Sequence, residues 1–77
     1  MEQSINALFG SKTRVKLLNL FFNSPDQKFY VREISRTIDE QVNSVRRELT
    51  NLESVGVVKS STEDRKIYYQ ANQRFKY

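Results

Sequence analysis

Val15, Leu18, Phe21 and Phe22 recur at helical spacing, and Leu17 and Leu20 widen the apolar face they form. The pattern predicts a scaffold helix from about Lys12 to Phe22, with Ser11 as N-cap and Asn23-Ser24-Pro25-Asp26 as its stop. Ile5, Leu8 and Phe9 share the spacing before Gly10 interrupts it, so residues 1–10 read as a short helix or an N-terminal arm. Lys28-Phe29-Tyr30 follows the Pro-Asp turn and suits a brief edge strand. Val31, Ile34 and Ile38 then fall at i, i+3 and i+7, which predicts a short second helix whose start lacks a strong capping residue.

The strongest periodicity comes next. Val42, Val45, Leu49 and Leu52 repeat at steps of three and four, so a third helix is expected over about 40–55. Asp39-Glu40 reads as its cap and first turn, because acidic groups complement the partial positive charge of a helix N-terminus, and Gly56 as its left-handed end. Val57-Val58-Lys59-Ser60 and Lys66-Ile67-Tyr68-Tyr69-Gln70, joined through polar Ser61 to Arg65, compose a hairpin over about 57–70. A hairpin this short is unstable alone and must lie on the helices, with Phe29-Tyr30 as a third strand. The expected fold is mainly α with a small antiparallel sheet: a three-helix core plus a β-hairpin wing, a winged helix-turn-helix.

Length agrees with one such unit. Seventy-seven residues form a single domain over 1–77 with a modest core, and an apolar share of 38% makes a second subunit a natural source of extra burial. Cysteine and histidine are absent, which removes thiolate chemistry, the commonest transition-metal ligands and the commonest general base together. Two glycines cannot build a phosphate-cradling loop. No enzyme activity, cofactor or metal is therefore expected. Met1-Glu2-Gln3 lacks the basic start of a signal peptide, and Lys16 and Asn19 break the richest apolar stretch, so no membrane span and a cytoplasmic location are expected.

Charge supplies the partner class. Thirteen Lys and Arg against nine Asp and Glu give a net charge of +4 and a pI near 9.6, in the range of nucleic-acid binders. Their placement matters more than the total. At about 100° per residue, Asn43, Ser44, Arg47, Thr50 and Asn51 oppose the apolar side of the third helix, with Arg46 at the edge of that stripe and Glu48 and Glu53 flanking it. This outward stripe holds no carboxylate, whereas an ordinary solvated face mixes both signs. Arg47 is the best candidate for pairing with a guanine edge or a phosphate, and Asn43 and Ser44 sit where a recognition helix reaches bases. Gln41 either contacts DNA or satisfies the helix start.

On the wing, Lys59, Arg65 and Lys66 are candidate contacts, and an arginine near a hairpin tip suits the narrow minor groove. Glu63-Asp64 either points away and forms the turn, or the wing contributes little. Arg32 and Arg36 on the second helix either straddle phosphates or, with Glu33 between them, make a solvated face. Phe9, Phe21, Phe22, Phe29, Tyr68 and Tyr69 read as core and strand fillers rather than base-stacking platforms.

Three segments carry a resemblance: Leu8-Phe9-Gly10-Ser11-Lys12-Thr13-Arg14-Val15, Val45-Arg46-Arg47-Glu48-Leu49, and Leu52-Glu53-Ser54-Val55-Gly56-Val57-Val58. Over Leu8 to Tyr69 the chain resembles the small prokaryotic winged-helix transcription regulators of the arsenic-repressor and multiple-antibiotic-resistance-repressor type. The resemblance implies a homodimer that places two recognition helices in successive major grooves of double-stranded DNA. The cysteine pair that senses metal in many arsenic-type repressors has no counterpart here. Related winged helices also occur fused to, or encoded beside, nucleotidyltransferase domains, so a fused or adjacent effector domain is a further implied partner. The alternative function is a winged helix used for protein interaction or RNA binding within a larger assembly.

Overall fold

A computed structural model describes residues 12–74. Three helices precede a hairpin: α1 Lys12–Asn23, β1 Phe29–Tyr30, α2 Val31–Ile38, α3 Val42–Ser54, β2 Val58–Glu63 and β3 Lys66–Ala71. The element order is the expected one. Residues 1–10, read above as an arm or short helix, and the Ser11 cap lie outside the described residues.

The α1 helix buries Thr13, Leu17 and Phe21, a stripe at i, i+4 and i+8. Phe21 meets Phe29 of β1 edge-on, with ring centroids 5.8 Å apart, and Ile34, Val45, Leu49 and Val58 close the core around them. The apolar face of α1 is wider than its buried stripe: Val15 and Phe22 are 49% and 47% exposed, and Leu18 and Leu20 only half-buried. One helix can press only one stripe of about 100° against the two helices behind it, so the remainder faces outward.

The start of α2 is satisfied by its own third residue. The Glu33 carboxylate accepts the Tyr30 N–H at 3.3 Å, which supplies the cap that the identity of Tyr30 does not advertise. Asp39 ends this helix in the left-handed region at φ 57°, and Asp39 and Glu40 do not start α3 as expected. Gln41 is the N-cap, extended and without a side-chain capping bond. Glu40 is drawn elsewhere: Lys16 Nζ donates to its Oε2 at 2.8 Å and to the Ile38 carbonyl at 2.9 Å, and Thr13 Oγ1 donates to Oε1 at 3.1 Å. A lysine one helix away outcompetes a weak helix dipole for this carboxylate. Ser35 and Glu40 also bond reciprocally, the Glu40 N–H to the Ser35 carbonyl and the Ser35 hydroxyl to the Glu40 carbonyl.

The far end of α3 matches its sequence. Gly56 takes φ 87°, its N–H reaches the Glu53 carbonyl at 3.0 Å, and the Val57 N–H reaches the Leu52 carbonyl at 2.9 Å. This paired arrangement satisfies two orphan carbonyls and turns the chain straight into β2.

The sheet is antiparallel in the order β1-β3-β2, with Tyr30 opposite Tyr68 and Ser60 opposite Tyr69. Glu63 pairs with Lys66, so most of the polar stretch expected as a loop is strand, and the turn is Asp64-Arg65 alone. Both turn residues have positive φ, 51° and 67°, as a type I′ hairpin requires. Among the described residues no helix is long and apolar enough to cross a membrane.

Candidate nucleic-acid interface

Rotation of α3 about its axis decides what it presents: Val45, Leu49 and Leu52 are buried, and two carboxylates flank the outward side. Glu48, at the edge of the outward stripe in sequence, is turned in and 8% exposed, and Arg14 Nε of α1 donates to its Oε1 at 2.8 Å. On the opposite side, Ser60 Oγ of β2 donates to Glu53 Oε2 at 2.6 Å. Both acids flanking the stripe are thus bound to neighbouring elements. Asn43, Arg47, Thr50 and Asn51 lie exposed between them, Ser44 is half-buried, and Thr50 Oγ1 folds back onto the Arg46 carbonyl at 3.0 Å. Gln41 is exposed at the helix start, where the first turn carries no acid.

Arg46, about 100° round the helix from Arg47, belongs to a different surface. It lines a groove of about 570 Å³ together with Arg32 and Arg36 of α2, Arg65 at the hairpin turn and Lys66 of β3. Tyr30, Val31, Ile67 and Tyr69 complete the wall, and among the described residues no carboxylate lines it. Burial, and then the nearby Glu53 charge, push the Tyr69 phenol above its ordinary 10.0, so at neutral pH it stays a neutral hydroxyl.

The structure therefore joins three of the expected contacts, Arg46, Arg65 and Lys66, into one concavity. It keeps Lys59 outside, on the edge strand β2 opposite Gln70. Arg32 and Arg36 join the same concavity. Their spacing of i and i+4 was the sign of this in the sequence, where Glu33 between them left a solvated face as the alternative; the Glu33 carboxylate folds back onto the Tyr30 N–H.

The wing packs on the core through Val58, Ala71 and Tyr69, and its strands are also stapled to β1. Tyr30 and Tyr68 meet edge-on at 5.9 Å, Lys66 Nζ lies 4.6 Å from the Tyr30 ring centroid, and Lys28 sits over Tyr68 at 5.9 Å. Lys28 also pairs with Glu63, so of the two acids near the wing tip one is neutralised and the other, Asp64, forms the turn. Phe21 and Phe29 are buried as expected, whereas Tyr68 and Tyr69 are half-buried and Phe22 exposed.

No family model and no curated protein matches this sequence. Solved structures do match. The chain superposes on a ferric uptake regulator from Francisella tularensis with iron at TM-score 0.73 and 20% identity, covering 87% of this chain and 55% of that one. It superposes on a possible transcriptional regulator from Methanosarcina mazei Go1 at TM-score 0.76 and 22% identity, covering 95% and 66%. The fold is a winged helix. Reduced HlyU from Vibrio cholerae N16961 agrees, at TM-score 0.70 and 18% identity over 95% of this chain and 79% of that one. The winged helix spans less than two thirds of the length of the first two. These likenesses lie in backbone shape, and at such identities the side chains of the exposed α3 face are this chain's own.

Proposed function

We propose that this winged helix binds double-stranded DNA as a transcriptional regulator, with α3 in the major groove and the wing on the backbone or minor groove. One observation carries the reading: the outward side of α3 and the adjoining groove present cations and amides while the neighbouring carboxylates Glu33, Glu48, Glu53 and Glu63 are each bonded elsewhere. A phosphate backbone meets donors and positive charge on such a surface, and base edges meet amide and guanidinium groups.

Within it, Arg47, Asn43 and Ser44 read base edges and Gln41, Thr50 and Asn51 border them. Arg46, Lys59, Arg65 and Lys66 supply phosphate or minor-groove contacts. The structural neighbours named as regulators favour this role over an enzymatic one. We assign the chain to the cytoplasmic, prokaryotic regulators of the arsenic-repressor or multiple-antibiotic-resistance-repressor type on its sequence motifs. A homodimer would then place two α3 helices one DNA turn apart, with any effector domain fused or adjacent.

The test is selection of preferred duplexes from a random pool by the parent chain, followed by anisotropy titration of the selected site with the parent and Arg47→Ala. The reading expects a loss of about 1–3 kcal/mol and relaxed preference at one or two base pairs. Unchanged affinity and preference would remove Arg47 from the interface.

A further inference from the structure

The groove between α2, α3 and the wing draws positive charge from beyond the recognition helix and wing. Five cations converge on it from α2, α3 and the hairpin, and α2 contributes two. Arg32 and Arg36 are one helical turn apart on the same side of α2 and both are exposed. Neither forms an ion pair among the described residues, where all three salt bridges use other cations.

Ion pairing on a solvated face does not account for this pair. Glu33, the acid nearest to both in sequence, bonds the Tyr30 N–H, keeps its charge and is in a salt bridge with neither arginine. Five like charges lining one groove repel one another, and an anionic occupant relieves the repulsion.

We propose that this groove seats one phosphodiester strand of the duplex, with Arg32 and Arg36 contacting its phosphates from α2 opposite Arg46 on α3. The inference rests on the DNA-binding reading above and deepens it. The wall suits that occupant. Tyr30 and Tyr69 carry hydroxyls able to donate to phosphate oxygens, and Val31 and Ile67 offer apolar surface for the deoxyribose faces between charges. Arg46 and Arg47, adjacent in sequence, thereby divide the work: one faces the strand and the other the bases.

The test is anisotropy titration of a labelled random duplex at several salt concentrations, using the full chain and its Arg32→Ala, Arg36→Ala, R32A/R36A and R32K/R36K variants. Arg74→Ala serves as a control that removes one positive charge outside the groove, and thermal melts confirm that each variant folds. A phosphate contact changes the slope of log K against log salt by about 0.9. The proposal expects the slope to shrink by about one per arginine, affinity to fall roughly tenfold at moderate salt in the double alanine variant, and the lysine variant to regain most of the slope. Arg74→Ala should leave the slope where it is. A double alanine variant with the parent's slope, or an equal change in Arg74→Ala, overturns the strand seat while the DNA reading stands. A parent chain that binds no duplex overturns both.

Discussion

Lys16 Nζ donates to Glu40 Oε2 at 2.8 Å across 24 residues of sequence, and this bond ties the turn that launches α3 to the first helix. Its acid dependence follows from sign. The hydrogen bond from Lys16, then that from Thr13, holds the Glu40 carboxyl below its ordinary 4.5. A carboxylate depressed in the folded state contributes stability above its unfolded-state value, and the contribution is lost as pH falls through the folded one. Parent and Glu40→Gln should therefore melt apart at neutral pH, the variant lower, and converge on acidification below 4.5. Equal melting points at neutral pH would show that the contact adds nothing.

Arg14 and Glu48 form the second tie between α1 and the recognition helix, with the carboxylate nearly buried and the guanidinium side about one third exposed. Arg14→Ala leaves a carboxylate that is 8% exposed without its guanidinium. A cost of about 1–3 kcal/mol is expected in urea denaturation, because a nearly buried carboxylate loses a charge-assisted bond. Arg14→Lys should lose less. A cost below about 0.5 kcal/mol for the alanine variant would mean that Glu48 behaves as a surface acid.

The wing tip holds Arg65 where glycine is favoured. At φ 67° an L-residue costs roughly 1 kcal/mol more than glycine, and Asp-Gly is the preferred pair for this turn. Arg65→Gly should raise stability by about 1 kcal/mol, or roughly 4–8 °C in Tm, and weaken duplex binding. Gains in both would separate Arg65 from the interface.

How far the sequence carries can be judged from these residues. The α3 helix and its glycine end were legible because an apolar stripe and a left-handed cap are both local signals. Asp39-Glu40 misled for the same reason: local capping preference pointed to α3, while the lysine that claims Glu40 lies a helix away. The wing turn was blurred because neither Asp64 nor Arg65 is glycine, so the polar residues before it looked like loop. Arg47 and its neighbours were visible by helical geometry alone. The groove was not, since it depends on α2, α3 and the hairpin meeting and on Glu33 turning aside.

The central claim is that the outward side of α3 and the wing form the duplex-binding surface. The most direct measurement is an NMR titration of the labelled chain with a short duplex, following backbone amides. Shift changes are predicted over residues 41–51 and 59–66, joined by 31–36 where the strand seat holds, with amides around Asn19 and Phe22 of α1 little moved. Changes centred on α1, or none at low salt, would contradict it.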